Sequence, residues 1–369
     1  MASFSDPAFV RLPGTPEQTK RDSGGTVSVV NPLEVDGWDS LVMEHPGFSF
    51  FHSAAWAAVL ADTFHFTPCY LLARDDAGTP TALRPVMEVR SAFTGRRGVG
   101  LPFTDECPQL TFPGQREVDL FQRALEYGRS QKWRSFECRG EGHTMGQTPP
   151  SVCFFRHELD LTGGVDAVFA GFEGSVRQAI RKAGHAGVVV AVSHSLESVR
   201  RFYSLYCLTR QRHGLPPQRF SLFQNVHRHI LSKNKGFIVQ AMFNGLTIAA
   251  AVFFAMGRKA VYKFGASHPA WQSLRGNNLV FWEAIQRLGK EGYESLHFGR
   301  TSITNEGLRR YKNGWGCDET MMRYFKFDLR RNRFLVERDR ASGWHNRLFR
   351  AMPLPLARAF GFLLYRHVA

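Results

Sequence analysis

The stretch from residue 237 to residue 298 constrains this chain more than any other. Phe237–Phe243 is an apolar, β-favouring run, Asn244-Gly245 follows it, and Leu246–Phe254 returns as a second apolar run. Asn-Gly is what a two-residue type I′ turn demands, because both central residues take positive φ, so the two runs are expected to form an antiparallel hairpin. Gly257-Arg258-Lys259 then turns the chain into a third strand, Ala260–Gly265. A loop over 266–276 leads to a helix from Asn278 to Glu291, with Leu279, Trp282, Ile285 and Leu288 at helical spacing on its buried side. A strand, Glu294–Phe298, closes the unit.

The first half repeats this order. Strands are expected at Cys69–Arg74, at Ala82–Arg90 after the turn Asp75–Thr79, and at Val99–Pro102 after the turn Gly95–Gly98. A helix over Glu117–Gln131 and a strand over Arg134–Cys138 follow. Two copies of one unit, offset by about 165 residues, are the mark of a tandem duplication. Helices are expected before each copy, at Gly37–Glu44 and Ser53–Phe64 and again at Ser175–Ala186 and Ser195–His213. The expected organisation is therefore a disordered Pro/Gly/Thr-rich lead (1–25), a first domain (26–150), a second (151–330) and a basic amphipathic tail (331–369), with Gly140–Pro150 as the linker.

Ser175 with Gln178 reads as a capping box for a short basic helix carrying Arg177, Arg181 and Lys182. In the next helix Val199, Phe202, Tyr203 and Tyr206 form a stripe read as core, with Arg200 and Arg201 outside it. The chain carries a net charge of +15. That charge is concentrated, since residues 170–235 hold 11 basic against 2 acidic groups and residues 323–369 hold 11 against 3. Two basic regions in an otherwise near-neutral chain imply polyanionic partners: phosphate-bearing substrates, a nucleic acid or an anionic membrane. Six cysteines without a C-x-x-C pair argue for reduced thiols and against a metal site. No apolar run is long enough to span a bilayer and the first residues lack a signal peptide's core, which implies a cytoplasmic protein. Nucleophile-elbow, Walker, H-E-x-x-H and Rossmann motifs are absent from the sequence, which removes most hydrolases, NTPases and dehydrogenases.

Chemistry points to residues 293–325. There a strand runs into Gly299-Arg300-Thr301-Ser302, and Leu308-Arg309-Arg310-Tyr311-Lys312 and Gly314-Trp315-Gly316 follow. Strand ends opening into glycine-punctuated loops with cations and hydroxyls are where α/β folds hold ligands. This segment, with Ser91-Ala92-Phe93-Thr94-Gly95, Leu101-Pro102-Phe103-Thr104-Asp105 and Arg177–Ala183, resembles the FemAB-like branch of the GNAT acyltransferases over most of residues 27–330. The blocks are most similar to members found with exopolysaccharide and exosortase systems. The chain departs from the pattern at His297, where Asp is usual, at Tyr311, where Phe is usual, and at Glu106-Cys107, which replaces an aromatic-glycine pair.

The resemblance implies an α/β (α+β) fold of tandem GNAT-like domains, with mixed, mainly antiparallel sheets flanked by helices. It implies acyl or aminoacyl transfer to an amine of a cell-envelope or exopolysaccharide precursor, from acyl-CoA or from aminoacyl-tRNA, without a metal. Asp105 matches the family's acidic position and is a candidate general base, with a loop cap as the equal alternative. His297 is a second candidate base, with a satisfied core histidine as its alternative. Lys312 matches the family's lysine near phosphates, and Arg300 adds a cation for phosphate or oxyanion. Ser302, Tyr262, Arg275 and Trp315 complete the candidate binding set. Arg275 stands where GNAT enzymes bind the donor pyrophosphate at a helix start, and Asn277 or Asn278 is the expected cap there. In the tail, Leu348, Leu356, Phe360 and Leu363 interleave with Arg347, Arg350, Arg358 and Arg366. That composition suits either a segment lying peripherally on anionic lipid or a helix packed back on the body. The rival to an enzyme is a non-catalytic protein that binds a polyanionic glycan or lipid-linked precursor.

Overall fold

A computed structural model describes residues 25–115, 118–140, 145–337, 339 and 344–367. All but the last residue of the expected lead, and 141–144 of the expected linker, lie outside them. The first half contains β1 (Thr26–Val30), α1 (Trp38–Met43), α2 (Ala54–Phe64), β2 (Thr67–Pro68), β3 (Tyr70–Arg74), β4 (Pro80–Arg84), β5 (Met87–Ser91), β6 (Gly95–Val99), β7 (Leu110–Thr111), α3 (Leu120–Ser130) and β8 (Ser135–Arg139). The second contains β9 (Val152–Asp160), α4 (Val165–Gly171), α5 (Gly174–His185), β10 (Val189–Ser193), α6 (Leu196–Arg212), α7 (Phe220–His229), β11 (Gly236–Phe243), β12 (Leu246–Met256), β13 (Lys259–Ser267), α8 (Gly276–Lys290), β14 (Ser295–Ser302), α9 (Glu306–Asn313), β15 (Asp318–Asp328) and β16 (Arg333–Phe334). The tail forms α10 (Trp344–Ala351) and α11 (Leu354–Leu364).

The central hairpin is built as the sequence dictates. β11 and β12 pair antiparallel through the Asn244-Gly245 turn, whose φ values are 49° and 77°, and β13 adds antiparallel to β12. After α8, β14 returns parallel to β13. One mixed sheet runs β10-β11-β12-β13-β14-β9-β15-β8-β6-β5-β2, so strands of both halves share it, and β15 joins β9 to β8 at its centre. A smaller sheet, β1-β3-β4-β7, belongs to the first half. α5 and α8 cover one face of the β11–β14 segment, around Phe237, Phe253, Phe281, Phe298 and Trp315. α6 packs on the other face, with α2 against α7, around Trp56, Phe202, Phe223, Phe254 and Phe264. α6 buries Val199, Phe202, Tyr203 and Tyr206 and leaves Arg200 and Arg201 exposed, as its stripe requires.

Several local expectations are corrected. The single strand Ala82–Arg90 is two, β4 and β5, in different sheets, because Pro85 has no N–H to give a ladder. Gly95–Gly98 is not a turn before a strand but lies within β6 itself, paired with β5 through Val99. The Ser175/Gln178 capping box does not form: α5 starts at Gly174 after Glu173, and the Ser175 hydroxyl bonds the Glu173 carboxylate. Asn277 and Asn278 lie inside α8, whose cap is Arg275 in the left-handed region at φ 58°. The tail packs back on α6. Gln211 Nε2 donates to Met352 O at 2.8 Å, Asn346 Nδ2 to His213 O at 3.1 Å, and Tyr365 Oη to Pro216 O at 2.9 Å.

Candidate active site

The site begins where two parallel strands part. β13 and β14 pair only from Lys259 to Val261 against Ser295 to His297, and β14 then bulges between His297 and Arg300 with Gly299 at φ 75°. Among the described residues no strand pairs with the β14-facing edge of β13 past Val261, so its backbone amides are available to a ligand. A cavity of about 310 Å³ fills the splay, walled by Tyr262, Gly265 and Ser267 of β13, Phe298 of β14, Asn277 and Phe281 of α8, Thr209 and His213 at the end of α6, and Tyr311 and Lys312 of α9. Gly265 lets the Tyr262 side chain lie over it, for a Cβ there would stand 1.9 Å from Tyr262 Oη.

The cavity has a neighbour at each end. Toward the start of α8, sharing Tyr311, lies an open pocket of about 640 Å³ bordered by Glu173, Ser175, Lys182, Arg275, Asn278 and Arg310. Among the described residues no side chain caps α8, and its start, from Arg275 to Asn278, borders this end together with Lys182 and Arg310. At the other end, sharing Thr209, His213 and Gly265, lies a chamber of about 550 Å³ lined by Phe103, Asp105, Arg139, Arg210, Lys263, Arg300 and Tyr365.

Asp105 reaches that chamber on a loop held against its own preference. Leu101 and Phe103 take φ of 57° and 58°, a conformation that costs an L-residue about 1–2 kcal/mol. Cations from elsewhere hold the loop's carbonyls: Arg139 Nη1 donates to Leu101 O at 3.2 Å and Thr104 O at 3.1 Å, and Lys263 Nζ to Phe103 O at 2.5 Å. Trp56 Nε1 donates to Thr104 Oγ1 at 2.8 Å, and Tyr324 Oη donates to Asp105 O. The Asp105 carboxylate then stands 3.7 Å from Lys263 Nζ and 3.8 Å from Arg300 Nε. Burial alone would raise its pKa, but Lys263, Arg300, His297 and Lys312 together hold it below the usual carboxylate value. Asp105 is thus an ionised anchor and a weak base.

Lys312 is buried, and its ammonium does not stand free for a phosphate. Nζ donates to Gly299 O at 2.7 Å and Arg300 O at 3.1 Å, fixing the bulge of β14. Burial lowers its pKa to about 8, against the pull of Asp105. His297 opens into a neighbouring cavity on the same side of the sheet. Its Nδ1 accepts the Gly299 N–H at 3.0 Å, and its Nε2 stands 3.9 Å from Glu106 in a separate cavity of about 230 Å³ shared with Arg156 and Lys259. Burial first, then Arg156, pushes its pKa down to about 3, so it is a neutral histidine outside the Asp105 chamber.

The structure therefore gathers Asp105, Arg300, Lys312 and Tyr262 along one path, with Arg275 at its far end. It leaves three candidates off the path. Trp315 is fully buried against Phe172, Phe281 and Phe298. The Ser302 hydroxyl bonds Thr304 Oγ1, where β14 pairs with β9. His297 faces the separate Glu106 cavity.

Two residues that the sequence reading passed over stand in the walls. Lys263, a lone lysine in an apolar strand, was visible as an anomaly of the Ala260–Gly265 pattern. His213, at the end of α6, borders both the splay cavity and the Asp105 chamber. Partial burial, then Arg212, Arg210 and Arg350, lower its pKa, so it is a neutral imidazole able to accept a proton.

Residues 171–313 match the family model described as an acetyltransferase (GNAT) domain. The fold resembles that of FemX, with a TM-score of 0.62 at 12% identity over 80% of this chain and 96% of that one. It also resembles a tandem GNAT protein of the clavulanic acid biosynthesis pathway (0.52, 12%, 83% and 98%). A third likeness is to the C-terminal domain (DUF2156) of a protein assigned as a lysylphosphatidylglycerol synthetase in Agrobacterium fabrum (0.52, 15%, 84% and 93%). A comparison with curated protein sequences finds no match. Among the described residues no helix is long and apolar enough to cross a membrane.

Proposed function

From a chain with a GNAT-type acetyltransferase domain over 171–313 and a FemAB-like tandem GNAT fold, we propose an acyltransferase that acylates an amine of a cell-envelope or exopolysaccharide precursor. One observation carries the reading: the splay of β13 and β14 is open, with an uncapped, cation-flanked helix start at one end and the Asp105–His213 chamber at the other. An acyl-CoA donor suits it. Its pyrophosphate would meet the α8 N–H groups with Arg275, Lys182 and Arg310, and its pantetheine arm would thread the splay. The acyl carbonyl would then lie against the unpaired edge of β13, whose amides can stabilise an oxyanion.

The acceptor amine enters through the Asp105 chamber. His213 takes one proton from the ammonium, the freed nitrogen lone pair attacks the thioester carbon, and the C–S bond breaks as the C–N bond forms. The thiolate leaves along the splay and takes up the second proton, the one the nitrogen sheds as the amide forms. Asp105, ionised between Lys263 and Arg300, orients a cationic amine before it is deprotonated.

A second reading has aminoacyl-tRNA as donor, favoured by the exposed Arg181 and Lys182 of α5 beside the first pocket. Calorimetric titration with acetyl-CoA and, in parallel, with uncharged tRNA separates the two. Saturable micromolar acetyl-CoA binding, lost in Gly265→Leu, is the expected result. Salt-sensitive tRNA binding without acetyl-CoA binding turns the donor assignment over, and binding of neither leaves the non-catalytic reading.

A further inference from the structure

The last helix is built the wrong way round for a soluble surface. On α11, Leu356, Phe360 and Leu363 fall at i, i+4 and i+7, and they are 55%, 51% and 66% exposed. Ala357 and Gly361, a quarter-turn and more away, make the contact with the body, where a Cβ on Gly361 would stand 1.9 Å from Pro217 O. An amphipathic helix normally turns its apolar stripe inward. Here small residues bind the helix down and the large apolar ones face out.

A second element joins this face. The turn after β5 carries Phe93 at its tip, 79% exposed, with its ring 4.8 Å from that of His367, just past α11. Arg97 Nη2 donates to His367 O at 2.8 Å, tying turn and tail together.

We propose that α11 and the Phe93 turn form a docking surface for an anionic lipid bilayer, with Leu356, Phe360, Leu363 and Phe93 entering the acyl boundary. Charge complementarity names the occupant. No Asp or Glu occurs between residues 340 and 369 or between 89 and 104, whereas Arg347, Arg350, Arg358 and Arg366 lie in the tail and Arg96 and Arg97 beside the turn. A second copy of this chain would bring the same cations against themselves, while lipid phosphates neutralise them. Each arginine at such a surface is worth about fivefold in partitioning. α11 has 11 residues, about 16 Å of helix, so it lies on a bilayer and does not span it.

The surface adjoins the site. Tyr365, the residue after α11, lines the Asp105 chamber and bonds Pro216, and α10 holds the His213 carbonyl through Asn346. Docking would set the chamber mouth at the lipid surface, where an acceptor carried on a lipid reaches it without leaving the membrane. That last consequence rests on the transfer reading; the docking does not.

Flotation with phosphatidylcholine vesicles, pure and with about 30% phosphatidylglycerol, tests the surface on the full chain. The expected result is at least tenfold stronger partitioning to the anionic vesicles, weakened by salt. The double variant Phe360→Glu/Leu363→Glu should lose at least tenfold, with its melting temperature and acetyl-CoA binding unchanged because both side chains are exposed and outside the cleft. Phe93→Ser should lose part of the affinity. Equal partitioning to neutral and anionic vesicles, absence of partitioning, or a double variant that floats like the parent would overturn the proposal. So would sedimentation showing a dimer that the double variant dissolves, which would assign the face to a second copy. Vesicle binding without transfer to any amine supports the docking and counts against the transfer reading alone.

Discussion

Neutralising Asp105 tests the electrostatic core of the site. Asp105→Asn keeps the shape of the side chain and removes the charge facing Lys263, whose own side chain is only 6% exposed. At 3.7 Å and an effective dielectric constant near 20, the Coulomb attraction is about 4–5 kcal/mol. Arg300 contributes less, because its side chain is 41% exposed and water screens it. Lys263 keeps its bond to Phe103 O in the variant, so the loss is partial, and a destabilisation of about 2–4 kcal/mol is expected. The sign with pH follows from the lowered Asp105 pKa. The stabilisation is present above the ordinary carboxylate value and disappears as the pH falls through the folded-state value. Urea unfolding of the parent, Asp105→Asn, Lys263→Met and the double variant gives the coupling directly. The double variant should be more stable than the sum of the single losses predicts, since no uncompensated ammonium remains. A coupling below about 0.5 kcal/mol would refute the paired arrangement and reduce Asp105 to a loop cap.

Two further perturbations address the proton and the lysine. If His213 accepts the amine proton, transfer should rise with pH along a limb whose midpoint lies below the ordinary histidine value, because its pKa is lowered. Arg212→Gln should move that limb to higher pH, while His213→Gln should cost about 10²–10⁴-fold in kcat and abolish the limb; an unchanged profile removes His213 from the chemistry. Lys312→Ala is expected to lower turnover in a protein that still folds, since the Gly299–Arg300 bulge loses its anchor. Lys312 also has a folded-state pKa lowered to about 8, so the parent should gain stability relative to Lys312→Met as the pH rises from 8 toward 10.5. Parallel stability curves for the two over that range would contradict a buried ammonium.

The sequence alone determined the elements whose causes are local. Asn244-Gly245 requires a hairpin whatever surrounds it, and the stripe of Val199, Phe202, Tyr203 and Tyr206 requires one buried helix face. The repeated order of strands and helix pointed to the mixed fold, and the residue blocks at 101–105, 177–183 and 293–325 carried the resemblance to FemAB-like proteins. The site was only partly legible. Asp105, Arg300, Lys312 and Tyr262 were named in advance, but their relation was not: Lys312 holds backbone carbonyls, and His297, two residues from Gly299, turns to Glu106 in a separate cavity. The bulge between His297 and Arg300 could not be read from the sequence. Lys263 and His213 were missed because nothing near them in the chain explains them. Tertiary structure alone decided the Asp105 loop. Leu101 and Phe103 would not choose a left-handed backbone by themselves, and the groups that impose it, Arg139, Lys263 and Tyr324, arrive from 35 or more residues away, as close charge and hydrogen bonds that no local pattern records.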